Sequence, residues 1–273
     1  PRTSAILGVH LWGRACDVGA LAEIAARHDL ALLFDAAHAF GCTRGGRPIG
    51  GFGAAEVFSF HATKVVQSFE GGAITTDDDA LAERLRLLAN FGFAGYDDVR
   101  IAGTNAKMPE ISAAMGLTAL ESFEAFVAHN RLNHAWYERA LGAIPGISVV
   151  PYDEREAGNF QYIVAEVDAR RFGLGRDDLV AVLHAENVLA RRYFHPGCHR
   201  MAPYADDVSR ARRRLPATER LTERLVCFPN GQDVAAGDIA VISRVVALAA
   251  AAAPAIARRL SPSAPRAAQE AAQ

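Results

Sequence analysis

Short continuous apolar runs alternate with an amphipathic segment at the start of the chain. Residues 5–11 and 30–34 are apolar without polar alternation, which is typical of strands buried inside a sheet. Between them, apolar residues recur at helical spacing from residue 18 to residue 28, and Asp17 is placed to cap that helix. Strand, helix and strand in so short a stretch form a βαβ unit, so the sheet is at least partly parallel.

The same pattern continues to about residue 90. Residues 41–53 are glycine-rich and predict a loop, and residues 56–60 and 73–76 predict two further strands. Asp77 is the expected cap of a helix over residues 80–90. Apolar strands and helices in this order predict an α/β layer architecture with a mainly parallel central sheet.

The pattern changes near Gly146. Two long helices are expected before it, over residues 109–122 and 123–141. After it come a strand over 162–167, a helix over 176–186, a strand over 189–193 and two terminal helices, which together predict a smaller α+β unit. We therefore expect a large domain over 1–145 and a small C-terminal domain over 146–252. Residues 253–273 are rich in Ala, Pro, Ser and Gln, and we expect a disordered tail.

Composition narrows the class of protein. The chain has 273 residues, of which 51% are hydrophobic and 22% charged, enough for a packed core. The net charge of −2 gives no argument for a nucleic-acid partner. No apolar run reaches the length that spans a bilayer, so a transmembrane helix is not predicted. The four cysteines are scattered without a Cys-x-x-Cys pair, which argues against a disulfide framework and a structural zinc site. A reducing cytoplasm is the expected location.

Lysine is rare in this chain, and Lys64 directly follows a predicted strand. Lys64 and Lys107 stand among 29 lysines and arginines in total. An amine at the end of a strand forms a Schiff base when its surroundings lower its pKa. The alternative is a surface lysine on a loop, and Lys64 alone does not decide between the two.

Polar residues at the ends of neighbouring strands give Lys64 a context. Asp35 ends the second strand, where open α/β sheets bind their ligands, although such an Asp can also cap the following turn. His38 lies three residues further on, and its alternative is an ordinary half-buried histidine. Ser59 and Thr63 are hydroxyls beside Lys64 that suit a phosphate oxygen. A carboxylate for a ring nitrogen, a lysine for an aldehyde and hydroxyls for a phosphate are the groups that pyridoxal phosphate (PLP) needs.

Several ordered motifs resemble the DegT/DnrJ/EryC1/StrS family, the sugar aminotransferases of PLP fold type I. The resemblance runs from residue 5 to about residue 250, and its wording over 60–64 and 69–73 is nearest to the branch acting on dTDP-4-keto-6-deoxyhexoses. The motifs that carry it are residues 34–41 (FDAAHAFG), 58–64 (FSFHATK), 69–74 (FEGGAI), 90–93 (NFGF), 103–110 (GTNAKMPE) and 192–199 (RYFHPGCH).

The resemblance implies a role for each candidate residue. Lys64 would hold the cofactor aldehyde and move the catalytic proton, and Asp35 would keep the pyridine nitrogen protonated. His38 would lie near the ring and its 3-hydroxyl, and Ser59 would donate to the phosphate. Asn105 would reach the phosphate in the neighbouring subunit, because sites of this family are built across a homodimer. Related dehydratases carry His in place of the lysine, so Lys64 favours amino transfer.

The implied function is transamination of a nucleotide keto-sugar, with a dTDP-4-keto-6-deoxyhexose as acceptor and glutamate as donor. Family members carry a further segment ahead of the part that matches, including a helix whose N-terminal amides bind the phosphate. The large domain is therefore expected to be incomplete, with weakened cofactor affinity. Two alternatives follow: a catalytically silent or split-subunit homologue, and an aminotransferase for a non-sugar cyclic ketone such as a cyclitol.

One cluster in the C-terminal half resembles a metal site in composition. His195, Cys198 and His199 lie within five positions of one another. The resemblance places this stretch in a loop near the substrate, so no metal site is predicted.

Overall fold

The chain divides into two compact units. The structure, a computed structural model, describes residues 2–202, 204–205 and 215–260. The first unit is Pro1–Arg131 with Tyr152–Gln161, and the second is Leu132–Pro151 with Tyr162–Gln273. These bounds differ from the expected division at residue 145. The end of the long helix places Tyr137 and Leu141 in the core of the second unit, whereas residues 152–161 return to the first.

The first unit is built on a four-stranded sheet. Its elements in chain order are β1 (Ala5–Val9), α1 (Val18–Arg27), β2 (Ala31–Asp35), β3 (Thr43–Arg44), β4 (Arg47–Pro48), β5 (Ala55–Ser59), β6 (Gly72–Thr75), α2 (Asp79–Ala89), β7 (Phe93–Gly95), β8 (Asp98–Val99), α3 (Glu110–Glu121) and the start of α4 (Phe123–Leu141). The strand order is β1-β2-β5-β6. β1, β2 and β5 are parallel and β6 is antiparallel to β5, so the predicted α/β class with a mainly parallel sheet is confirmed.

Aspartate caps begin the first two helices, α1 and α2. The Asp17 carboxylate accepts a hydrogen bond from the Ala20 N–H at 3.3 Å, as expected. For α2 the cap is Asp78, which accepts from the Leu81 N–H at 3.0 Å. The predicted cap, Asp77, was wrong by one position, because three consecutive aspartates satisfy the sequence rule equally well.

The two faces of the sheet have different surroundings. Phe34 and Phe58 are buried on one face, with α1 and the glycine-rich loop against them. On the opposite face Leu7 is 65% exposed and Ile74 is 48% exposed, and Val9 and Val57 are exposed as well. The sequence predicted strands that are buried on both faces of the sheet. Among the described residues, the face with Phe34 and Phe58 is buried and the opposite face is exposed.

A buried polar pair joins the three parallel strands. His10, directly after β1, is 1% exposed, and Glu56 in β5 is 0% exposed. His10 Nε2 lies 3.2 Å from Glu56 Oε2, and the Cys16 N–H donates to His10 Nδ1. Because Nδ1 accepts the Cys16 N–H, the proton on Nε2 faces the carboxylate. Glu56 also accepts from the backbone N–H groups of Gly50 and Phe52, so its charge is well compensated.

The second unit packs helices against a three-stranded antiparallel sheet of order β11-β10-β9. Its elements are β9 (Ile147–Val149), β10 (Ile163–Val167), α5 (Ala169–Phe172), α6 (Arg176–Ala185), α7 (Pro216–Arg224), β11 (Leu225–Phe228), α8 (Ala236–Ala251) and α9 (Ala253–Leu260), with a 3₁₀ turn at Cys198–Arg200. Ile163, Leu179 and Leu183 are fully buried in its core.

Two expectations for this unit were wrong. Residues 189–193 do not form a strand; Arg191 makes one isolated bridge to Cys227. Residues 253–260, expected in a disordered tail, form the helix α9, and its first residue, Ala253, is buried in the core. Residues 261–273 lie outside the described part of the chain.

None of the described helices is by itself long and apolar enough to cross a membrane. Two pairs of consecutive helices are together long and apolar enough, by length and composition alone, but each pair is bent. The bend is 57° between α3 and α4 and 78° between α8 and α9.

Candidate active site

Three parallel strands end at one edge of the first unit's sheet, which we name the carboxyl edge. The His10 N–H donates to the Asp35 carbonyl at 2.9 Å, and the Ala36 N–H donates to the Val57 carbonyl at 2.8 Å. These bonds extend the β1–β2 and β2–β5 ladders past the last strand residues. The segments that follow, with Trp12, His38 and Lys64, therefore leave the sheet at the same edge.

Asp35 is half-buried at the carboxyl edge, where one of its oxygens caps a turn. Its Oδ1 accepts the Ala37 N–H at 2.9 Å, which caps the turn after β2. Its Oδ2 makes no hydrogen bond to any described residue and is available to a ligand. A carboxylate held by one backbone bond in this way keeps a fixed direction for its second oxygen.

His38 is a neutral hydrogen-bond donor at this edge. The Trp12 N–H donates to His38 Nδ1 at 3.3 Å, which places the ring proton on Nε2. Burial, together with the positive charge of Lys64, lowers the pKa of His38 to about 4, and the charge of Asp35 acts in the opposite direction. His38 is therefore uncharged at neutral pH.

Lys64 is half-buried in the loop after β5. Burial holds the pKa of its amine below the ordinary value, and the negative charge of Asp35 partly opposes this. A lowered pKa increases the neutral, nucleophilic fraction of the amine at neutral pH. The charge of Asp35 acts on Lys64 and on His38, and the charge of Lys64 acts on His38, so the three predicted residues lie within electrostatic range at the carboxyl edge.

The hydroxyls beside Lys64 are engaged within the loop. Ser59, the last residue of β5, accepts from the His61 N–H at 3.3 Å. His61 Nδ1 lies 2.9 Å from the Thr63 hydroxyl and accepts the Thr63 N–H at 3.2 Å. Since Nδ1 accepts, the Thr63 hydroxyl donates to it, whereas the Ser59 hydroxyl keeps its own proton to donate to a ligand.

Asn105 lies elsewhere in the first unit. It is exposed, forms an isolated bridge with Asn90, and accepts from Lys107 Nζ at 2.6 Å. Asn90, Phe93 and Tyr96 line an adjacent open cavity of about 440 Å³. No hydrogen bond or ion pair among the described residues joins Asn105 to Lys64, Asp35, His38 or Ser59.

Sequence reasoning missed the residues that join the Asp35 turn to the Lys64 loop. Asn159 donates to the carbonyls of His38 and Phe40, and Gln161 donates to the carbonyl of Thr63. Asn159 is separated from His38 by 121 positions and Gln161 from Thr63 by 98 positions, so no local pattern could indicate these contacts.

The cluster around His195 has other partners. His195 Nδ1 lies 3.3 Å from a nitrogen of the buried Arg176 guanidinium, and His199 lies 3.8 Å from Glu219. Within the described residues no group of three or more His, Cys, Asp or Glu side chains is placed to hold a metal ion.

The fold is that of the fold type I PLP-dependent aminotransferases. A solved structure of DesI in the presence of its TDP-sugar product matches with a TM-score of 0.89 and 47% identity, over 95% of this chain and 65% of that one. DesV from S. venezuelae, in complex with a ketimine intermediate, matches with a TM-score of 0.82 and 29% identity, over 92% and 66%. The chain belongs to the DegT/DnrJ/EryC1/StrS aminotransferase family, whose sequence profile matches residues 1–247.

Two curated relatives carry the names of sugar-nucleotide enzymes. The dTDP-4-amino-4,6-dideoxy-D-glucose transaminase of Shigella dysenteriae is 36% identical over 234 residues, 84% of this chain and 62% of that protein. The GDP-perosamine synthase of Caulobacter vibrioides is 36% identical over 210 residues, 75% of this chain and 56% of that protein. The chain thus spans about three fifths of the length of the relatives it matches.

The residues at the carboxyl edge fit the cofactor that the family implies. The available Asp35 oxygen suits a protonated ring nitrogen, and the half-buried Lys64 amine suits an aldehyde. The neutral His38 carries its proton on Nε2, and an N–H of this kind suits an oxygen acceptor.

Proposed function

We propose that this chain carries the catalytic residues of a PLP-dependent aminotransferase that moves an amino group from an amino acid, glutamate, to a nucleotide-linked keto-sugar. The observation that carries the proposal is the Lys64 amine, with its pKa lowered by burial, placed beside Asp35 and His38 at the ends of parallel strands. The names of the relatives support a sugar nucleotide as acceptor.

When bound, PLP supplies the aldehyde that takes the amino group and a ring that stabilises negative charge on the substrate carbon. Asp35 would pair with the ring nitrogen and keep it protonated. His38 would donate its Nε2 proton to an oxygen on the ring, and Ser59 would donate to the phosphate. Lys64 would take the proton from the donor carbon and return it, which requires the neutral amine that its burial favours.

A homodimer with shared sites is part of the proposal. Asn105 lies on an exposed surface with Phe93 and Tyr96, and among the described residues it makes no hydrogen bond or ion pair with the four residues above. We propose that it serves the site of a second copy. A cytoplasmic location stays a prediction.

The test is amino transfer to a panel of 4-keto and 3-keto sugar nucleotides, with glutamate as donor and PLP added, followed by mass spectrometry of the products. We expect an aminated 4-keto sugar, and we expect Lys64→Ala to lower the rate by about 10²–10⁴-fold. Arg84→Ala, on the exposed side of α2, is the matched control. If the protein aminates a cyclitol ketone and none of the sugar nucleotides, the proposed sugar acceptor is wrong and the acceptor is a non-sugar cyclic ketone. Failure to aminate any ketone would leave the silent or split-subunit homologue as the better account.

A further inference from the structure

A short segment far along the chain lies against both parts of the candidate site. Asn159 is 0% exposed, and its Nδ2 donates to the carbonyl of His38 at 2.9 Å and to that of Phe40 at 3.1 Å. These two carbonyls belong to the turn that follows Asp35. One amide group therefore fixes the backbone of the segment that carries Asp35 and His38.

Gln161 makes the corresponding contact on the other side. Its Nε2 donates to the carbonyl of Thr63, which is the peptide group that precedes Lys64. Its backbone N–H donates to Asn159 Oδ1 at 3.2 Å. Asn159 and Gln161 are thus joined to each other, and together they connect the Asp35 turn with the Lys64 loop.

The other hydrogen bonds of the Lys64 loop are local. The Lys64 N–H donates to the His61 carbonyl at 2.8 Å, and the Thr63 N–H donates to His61 Nδ1 at 3.2 Å. Such bonds set the shape of the loop but not its distance from Asp35. Among the hydrogen bonds that residues 61–64 make to described residues, the one from Gln161 is the long-range contact.

We propose that Asn159 and Gln161 are positioning residues that hold the Lys64 loop at a fixed separation from the turn carrying Asp35 and His38. The inference rests on the proposed function in taking Lys64 as the reactive amine. Its physical basis is independent of any cofactor. The two residues order one loop against a rigid strand end, and a buried amide that satisfies two carbonyls is costly to displace.

The experiment compares the two lysines of the chain in cofactor-free protein. Trace acylation with acetic anhydride at a series of pH values, followed by peptide mass spectrometry, gives a titration midpoint for Lys64, with Lys107 as internal reference. In the unmodified protein we expect the Lys64 midpoint below the ordinary value for a lysine. Gln161→Met removes the donor at similar size, so the freed loop gains water and the Lys64 midpoint rises. Gln232→Met, an exposed glutamine, is the matched control and leaves it unchanged.

A second variant keeps the test decisive if Gln161→Met fails to fold. Gln161→Asn retains the amide but is shorter by one methylene and cannot reach the Thr63 carbonyl, so we expect the same rise. A Lys64 midpoint that stays in place in a folded Gln161 variant would overturn the proposal. If PLP fails to bind while the midpoint still shifts, the proposed function fails and the positioning role stands.

Discussion

His38 is buried at the carboxyl edge, where its surroundings favour the uncharged ring. Its ring is 8% exposed, and burial together with the charge of Lys64 lowers its pKa to about 4. The sequence placed His38 near the site, but taken without its context a half-buried structural histidine was the favoured interpretation. The backbone N–H of Trp12 decides the tautomer, and that contact joins residues 26 positions apart that no pattern connects.

The lowered pKa of His38 predicts a pH-dependent stability. In the unfolded chain His38 binds a proton below its ordinary pKa of about 6.5, whereas in the folded protein it binds a proton only near pH 4. The contribution of His38 to the free energy of unfolding is therefore fully present above about pH 6.5 and is lost as the pH falls toward 4, a loss on the order of 3 kcal/mol. Urea unfolding of the unmodified protein and of His38→Gln measures this loss. We expect the difference in unfolding free energy between the two proteins to change as the pH falls from 6.5 to 4. His28→Gln, at an exposed histidine, is the control, and an unchanged difference for His38→Gln would contradict the assignment.

At the scale of elements, the strands and helices of the first unit follow from apolar periodicity and caps. The sequence found β1, α1, β2 and β5 within one or two residues, because apolar runs and an Asp cap are local signals. It misplaced the cap of α2 and predicted a strand over 189–193 that the structure lacks. It also gave no indication of the His10–Glu56 pair, because the sequence around a polar residue in an apolar strand does not show which distant residue it contacts.

The His10–Glu56 pair predicts a large cost when its acceptor is removed. Glu56→Ala leaves the His10 Nε2 proton and two backbone N–H groups buried without an acceptor, and we expect a loss of about 3–5 kcal/mol in the free energy of unfolding. Chemical denaturation measures the loss. Glu83→Ala, on the exposed side of α2, should stay within about 0.5 kcal/mol of the unmodified protein. A similarly small effect of Glu56→Ala would show that the pair does not stabilise the sheet.

At the scale of the whole chain, the α/β class and the family could be read from the sequence, but the division into units could not. The second unit takes the end of α4 because Tyr137 and Leu141 face its core, and it extends through α9.

The core of the second unit predicts the effect of a large-to-small substitution. Leu183→Ala, at a fully buried position, is expected to lower the free energy of unfolding by about 2–5 kcal/mol, measured by chemical denaturation. Leu189→Ala, at a leucine that is 70% exposed, is the control and should change it little. Equal effects of the two substitutions would contradict the assigned core.

The central claim is that Lys64 is the amine that holds PLP. PLP is titrated into the full chain, the mixture is reduced with borohydride, and the modified peptide is identified by mass spectrometry. Because the chain has two lysines, the result is unambiguous. The account predicts an absorption band that borohydride removes, with the phosphopyridoxyl group fixed on Lys64 and not on Lys107, and no band in Lys64→Ala. A label on Lys107, or no uptake of PLP at all, would contradict it.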